Sequence, residues 1–190
     1  MSDNYFSGKV FNSTTIQPHL TDPGEFENCQ FKSCDFSSID LTEFVFSECE
    51  FSACNFSLST LNYTALRDVK FIDCKMLGLH FEQCNTFGLA FSFENCELSH
   101  STFYGIKIKE TVFHNCRLHE VDFSESDLMR SIFSDCDLAG AKFERSNLEK
   151  TDFRGSYNYS INPEVNKIMK AKFSYPDVLG LLHKYRIEVF

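Results

Sequence analysis

The chain has 190 residues, enough for one domain with a sizeable core, and its 43% apolar content excludes a disordered chain. A formal charge of −9 and a pI near 5.1 argue against direct, nonspecific binding to nucleic acid or to anionic membranes and favour a basic partner. No segment is apolar for long enough to span a bilayer, no basic-then-apolar leader opens the sequence, and nine cysteines, an odd number, do not suit a disulfide framework, so a reducing, cytoplasmic setting is expected.

From the N-terminus, Phe6, Phe11 and Ile16 fall five residues apart, and Gln17–Glu25, with Pro18, Pro23 and Gly24, reads as a loop. The five-residue step then becomes strict. It places Phe26, Phe31, Phe36, Leu41, Phe46, Phe51, Phe56, Leu61, Leu66, Phe71, Met76 and Phe81 in one phase, slips by two residues near Asn85–Ser92, and resumes at Phe93. From there it runs through Leu98, Phe103, Ile108, Phe113, Leu118, Phe123, Leu128, Phe133, Leu138, Phe143, Leu148 and Phe153. No charged residue occupies this central position. A second restricted position lies two residues earlier and holds small or β-branched residues and all nine cysteines. Chance would place nine cysteines in one of five phases on the order of once in a million trials.

A period of five fits neither a helix nor a plain strand. Two inward residues in five suit a chain that turns a corner every five residues. Four sides then close a 20-residue coil, and coils stack at about 4.8 Å through parallel backbone hydrogen bonds. Cys34, Cys54 and Cys74 are spaced by that coil length, as are Cys96, Cys116 and Cys136. In the C-terminal half Phe alternates with Leu or Ile, which puts Phe on two opposite sides and fills the interior, with no room for a ligand. Ser37, Ser47, Ser52, Ser57, Ser99, Ser124 and Ser134 follow central residues and supply turn chemistry. The slip predicts a bulge over Thr86–Phe91 with Phe87 and Phe91 both partly buried.

Beyond residue 157 the period fades. Pro176 suits the first turn of a helix, with Val178, Leu179, Leu181, Leu182 and Tyr185 mainly on one side, and Ile187–Phe190 reads as a short strand. An open coil end needs a cover, so this tail is expected to be a cap. The predicted organisation is an N-terminal coil and loop over 1–25, the regular coils over 26–157, and the cap over 158–190, whose apolar side is compatible with a dimerisation segment.

Cys-Asp-Phe-Ser-Ser (34–38), Ser-Asp-Leu-Met-Arg (126–130) and Cys-Asp-Leu-Ala-Gly (136–140) resemble the pentapeptide repeat family, and the resemblance covers about residues 26–157. It implies an all-β solenoid, a right-handed quadrilateral parallel β-helix with a C-terminal helical cap. The tail over 159–168 and 171–182 looks like the cap of Qnr-like and McbG-like topoisomerase-protecting proteins. That resemblance implies a homodimer through the cap and an acidic rod that imitates duplex DNA for DNA gyrase or topoisomerase IV. A scaffold for some other protein is the alternative.

The residues themselves point away from catalysis, cofactors and metals. Ser, Thr, Ala and Val take the cysteine position elsewhere, so the slot reads as one for a small filler rather than a ligand. His80, His100, His114 and His119 fall at outward positions, and none of the six histidines has triad or metal-motif spacing. Carboxylates cluster on about one coil at Glu120, Asp122, Glu125, Asp127, Asp135 and Asp137, which marks them as the candidate partner-binding surface.

Overall fold

A computed structural model describes residues 4–188. The backbone winds as a right-handed, four-sided parallel solenoid whose pairing register is one coil of 20 residues: Phe6 faces Phe26, Phe26 faces Phe46, and Phe113 faces Phe133. We number the sides 1 to 4 from Phe26, Phe31, Phe36 and Leu41. Side 2 carries an unbroken parallel sheet from Val10–Asn12 to Ile132–Ser134, whereas the sheet on side 1 runs only from Tyr5–Ser7 to Ala65–Arg67. Sides 3 and 4 are held by single bridges one coil apart, such as Asp122 with Lys142.

Every central residue from Phe26 to Phe153 is buried, and of the cysteine-type positions only Ile39 is left half-buried. Parallel stacking puts like side chains above one another. On side 2, Phe11, Phe31, Phe51, Phe71, Phe93, Phe113, Phe133, Phe153 and Phe173 form one continuous column with ring centroids 4.4 to 5.3 Å apart. Phe103, Phe123 and Phe143 stack on the opposite side and meet that column edge-to-face, as Phe113 and Phe123 do at 5.7 Å and 82°. Each ring thus has face and edge neighbours in the geometries aromatics prefer.

The corners explain the remaining positions. Between Phe26 and Phe153 the second residue after each central one except Phe81 has positive φ, a conformation costly for most side chains. Where a strand runs into the corner the residue is mostly Asn or Asp, as at Asn28, Asp68, Asp73, Asn95, Asn115 and Asp135. These side chains tolerate the left-handed region best after glycine. Where the side has no strand, the Asp or Asn just before the central residue supports the turn. Its Oδ1 accepts the N–H two residues on: Asp35 from Ser37 at 3.0 Å, Asn55 from Ser57 at 3.1 Å, Asp122 from Ser124 at 2.8 Å. The position two before the central residue is more than a filler slot. Cys54, Cys74 and Cys136 each donate to the carbonyl of the residue 23 earlier at 3.4 Å, and Thr64, Ser131, Ser146, Thr151 and Ser156 do so at 2.7 to 3.0 Å.

Three expectations need correction. At the slip, Phe91 is buried and pairs with Val69, but Phe87 is 79% exposed. The ladder resumes when the Ala90 N–H reaches the Leu66 carbonyl, so the surplus residues loop outward and leave Phe87 beside the Arg67 guanidinium, 5.9 Å from its ring centre. The C-terminal cap holds two short 3₁₀ turns, Asp177–Leu181 and His183–Tyr185, rather than one helix. Gly180 lies inside the first of them with its backbone against Tyr159, where any Cβ would clash, and glycine weakens a continuous helix. Ile187 and Glu188 form no strand, and Val189 and Phe190 lie outside the described residues.

Candidate partner-binding surface

The six clustered carboxylates do not share a face. Asp122 and Glu125 lie on side 4, Asp127 on side 1, Asp135 on side 2, and Glu120 and Asp137 on side 3, so they form a belt around the rod. Most have partners one coil away. Glu125 meets Arg145 at 2.6 Å, and the guanidinium, with Tyr104, holds its carboxyl below the usual range. Asp127 meets Lys109 at 3.1 Å and Asn147 at 2.9 Å. Asp137 loses some solvent, which would raise its pKa, but the His119 ring nitrogen 2.8 Å away and a hydrogen bond from Asn158 at 2.8 Å bring it below the ordinary value. Asp135 lies 3.9 Å from His114, and Glu120 folds over Gly140. Asp122 and Asp127 each use an oxygen in the turn support described above.

The N-terminal coils are different. Among the described residues, no carboxylate from Asp22 to Asp73 lies within 4.0 Å of a lysine or arginine nitrogen. Glu25, Glu27, Glu48, Glu50 and Asp68 gather on side 1 and its corner with side 2. Glu48, Glu50 and Asp68 line a shallow groove there of about 280 Å³, with Lys70 as the one base in its wall. A composition count along the chain could have found this region, since residues 21–80 hold ten Asp and Glu against four Lys and Arg. Proximity in sequence drew the eye to 120–137 instead.

The pattern of a pentapeptide repeat region matches residues 24–92 and 79–153, more than half of the chain. The chain belongs to the pentapeptide-repeat family. Two solved structures share the fold of this pentapeptide-repeat protein. QnrB1, described as a plasmid-mediated fluoroquinolone resistance protein, is 18% identical with a TM-score of 0.51, covering 98% of both chains. HetL, described as a pentapeptide repeat protein involved in heterocyst differentiation regulation from the cyanobacterium Nostoc sp. strain PCC 7120, is 13% identical with a TM-score of 0.52, covering 88% of this chain and 82% of that one. No curated protein sequence matches the chain.

All nine cysteines of this pentapeptide-repeat protein are free and buried, and burial pushes the thiols of Cys49 and Cys84 up to about 12. No group of three or more His, Cys, Asp or Glu is arranged to hold a metal ion among the described residues, and no helix there is long and apolar enough to cross a membrane. The cap places Val178, Leu179, Leu181 and Leu182 half-buried, with Leu181 against the core, while Tyr185 is 51% exposed and its hydroxyl donates to Glu164 at 2.8 Å.

Proposed function

We propose that this protein is a non-catalytic acidic rod that binds a type II topoisomerase, DNA gyrase or topoisomerase IV, as a mimic of duplex DNA and shields it from quinolone-like or peptide poisons. The observation that carries this reading is the N-terminal half with its unpaired carboxylates. Over residues 21–80, three coils long, ten acidic against four basic residues leave six negative charges. Three coils span about 14 Å, and duplex DNA carries about eight charges over that length. The field is therefore of the same order, and among the described residues no cross-coil ion pair dissipates it. Contact is expected on Glu25, Glu27, Glu48, Glu50 and Asp68, with the 120–137 belt adding little. A second copy meets the first at the cap, where Met169, Tyr185 and Ile187 are exposed alongside the half-buried Val178, Leu179 and Leu182.

Gyrase supercoiling and quinolone-induced DNA cleavage, each titrated with the protein at two salt concentrations, test the reading. The expected result is fewer cleaved complexes and inhibited supercoiling at high protein, both weakening as salt rises. With no inhibition, no protection and no binding, the topoisomerase target is wrong. A scaffold for a different protein then stands in its place, a reading favoured by the fold's equal likeness to HetL and to QnrB1.

A further inference from the structure

We infer that the C-terminal end of side 4 is a docking groove for an extended, acidic peptide segment of another protein, which adds as one further rung of the solenoid. The inference does not rest on the topoisomerase reading, because it uses the opposite end of the rod and the opposite charge.

The starting point is an interrupted ladder. On side 4 each coil bonds the next in the same way: Phe103 N–H to Asp122 O, Gly105 N–H to Ser124 O, then Phe123 N–H to Lys142 O, Glu125 N–H to Glu144 O, with Lys142 N–H returned to Val121 O. One coil later these bonds stop. The Phe143 and Arg145 N–H groups and the Ala141 carbonyl, the equivalents in the next rung, have no partner among the described residues. The other sides end differently. Side 1 gains a last rung through Leu148 N–H to Lys167 O, side 2 through Phe153 N–H to Lys172 O, and side 3 through Leu138 N–H to Tyr157 O. Unpaired backbone groups in register are a template for an added strand.

The reason for the gap is local. Residues 160–166 should form the missing rung, but they swing out as a loop. Ile161 N–H turns to the Gly180 carbonyl at 3.3 Å, and Asn166 comes back to accept the Ser146 N–H at 2.8 Å. Between loop and ladder lies a groove of about 500 Å³. Its wall includes Phe143, Ile161 and Val165, which suit one apolar side chain of an incoming strand, and its rim carries Lys142, Arg145 and Lys184 against Glu144 alone. Arg145 is tied to Glu125 and reaches Glu144, and Lys184 is tied to Glu164, while Lys142 has no ion pair among the described residues. A strand that offers its backbone to residues 141–145 and a carboxylate to Lys142 completes both the ladder and the charge.

The test uses the full-length protein and a blocked peptide, acetyl-Ser-Asp-Val-Glu-Val-Ser-amide, with two controls: the same peptide with Lys for Asp and Glu, and one N-methylated on alternate amides. Binding is read by amide chemical shifts and by fluorescence anisotropy of a labelled copy. The expected result is binding of the acidic peptide with the largest shifts at the Phe143 and Arg145 amides. The affinity should fall roughly tenfold in Lys142→Glu, the effect of reversing one rim charge, and be lost with the N-methylated peptide. Equal binding of the lysine peptide, or undiminished binding of the N-methylated one, overturns the proposal, as does no binding at millimolar peptide. Sedimentation showing a dimer whose Phe143 amide is already protected from exchange overturns it too, since a second copy would then fill the groove.

Discussion

Residues 21–80 and 101–160 are each three coils long and each carry ten acidic residues, yet they present different surfaces. The first has four basic residues and the second eight. In the second, Arg130 reaches Glu110 at 3.0 Å, Arg145 reaches Glu125 at 2.6 Å, and Arg154 and Lys172 both hold Asp152. In the first, no lysine or arginine pairs with a carboxylate among the described residues. The interiors differ as well. Phe26, Phe31 and Phe36 make three-Phe layers before the slip, while Phe113 and Phe123 with Leu118 and Ile108 make two-Phe layers after it. Side 1 loses its strands at the same point. A parallel solenoid pairs residues 20 apart, so its coils are free to differ in surface so long as their inward residues fit. The two halves have used that freedom for opposite ends: one keeps its charge available and the other neutralises it.

The largest effect should come from the part both halves share. Phe123 is fully buried between Phe103 and Phe143, at 5.1 Å from each. Phe123→Asp places a carboxylate in a filled apolar column, a cost of several kcal/mol, and should abolish the cooperative melt seen by circular dichroism. An unchanged melt would mean that the side chain does not point inward.

Charge is where the halves should separate. Neutralising Glu25, Glu27, Glu48 and Glu50 to Gln should cut affinity for a basic partner at least tenfold and leave stability unchanged or higher, because like charges on neighbouring coils repel. Neutralising Glu97, Glu110, Glu125 and Asp127 instead breaks four cross-coil pairs, each at the surface and so individually weak. That variant should melt lower and bind as before. If both variants bind alike, the unpaired carboxylates are not the contact surface. A quinolone-protection assay and a thermal melt on the same two proteins settle it.

How much of this was legible in the sequence follows from the kind of interaction involved. The register was, because burial excludes charge from Phe26 through Phe153 and leaves a periodic trace. The stacking of Cys34 on Cys54 and Cys74 was, because the coil length is constant. The ion-pair ladder was not read, although Glu110 and Arg130, or Glu125 and Arg145, stand one coil apart in the sequence; a carboxylate's partner becomes visible only once the fold says that 20 residues apart means adjacent. The Asp before the central residue looked like surface charge, when at Asp122, Asp127 and Asp137 it supports a turn. Phe87 was misplaced because a period says nothing about residues that fall outside it.

Acid should distinguish the halves more gently. The Arg154 guanidinium, helped by Lys172, holds the Asp152 carboxyl at about 2, below the unfolded value near 4. The folded state therefore binds that proton less readily than the unfolded chain. The resulting stabilisation is fully present above about pH 4 and is lost as pH falls through the window down to about 2. Asp152→Asn should melt lower than the parent at pH 6, and the difference should vanish by pH 2. A difference that persists there would assign it to packing rather than charge.

The smallest effect tests what the cysteine slot selects. Cys136 donates to the Phe113 and Ser134 carbonyls at 3.4 Å, and one coil on, Ser156 in the same slot donates to Phe133 at 2.9 Å. If the slot wants a compact donor, Cys136→Ser should stay within about 1 kcal/mol of the parent, while Cys136→Val, similar in size but without a donor, should cost about 1 kcal/mol for the carbonyl bonds it removes. If the slot wants only a small apolar group, the order reverses and Val is the milder change. The slot's other occupants argue for the first outcome, since Ser131, Ser146, Thr151 and Ser156 fill it on three sides of the rod with no loss of burial. Denaturant melts of the two variants, compared at equal m-value, decide between size and hydrogen bonding as the reason that Cys, Ser and Thr alternate there.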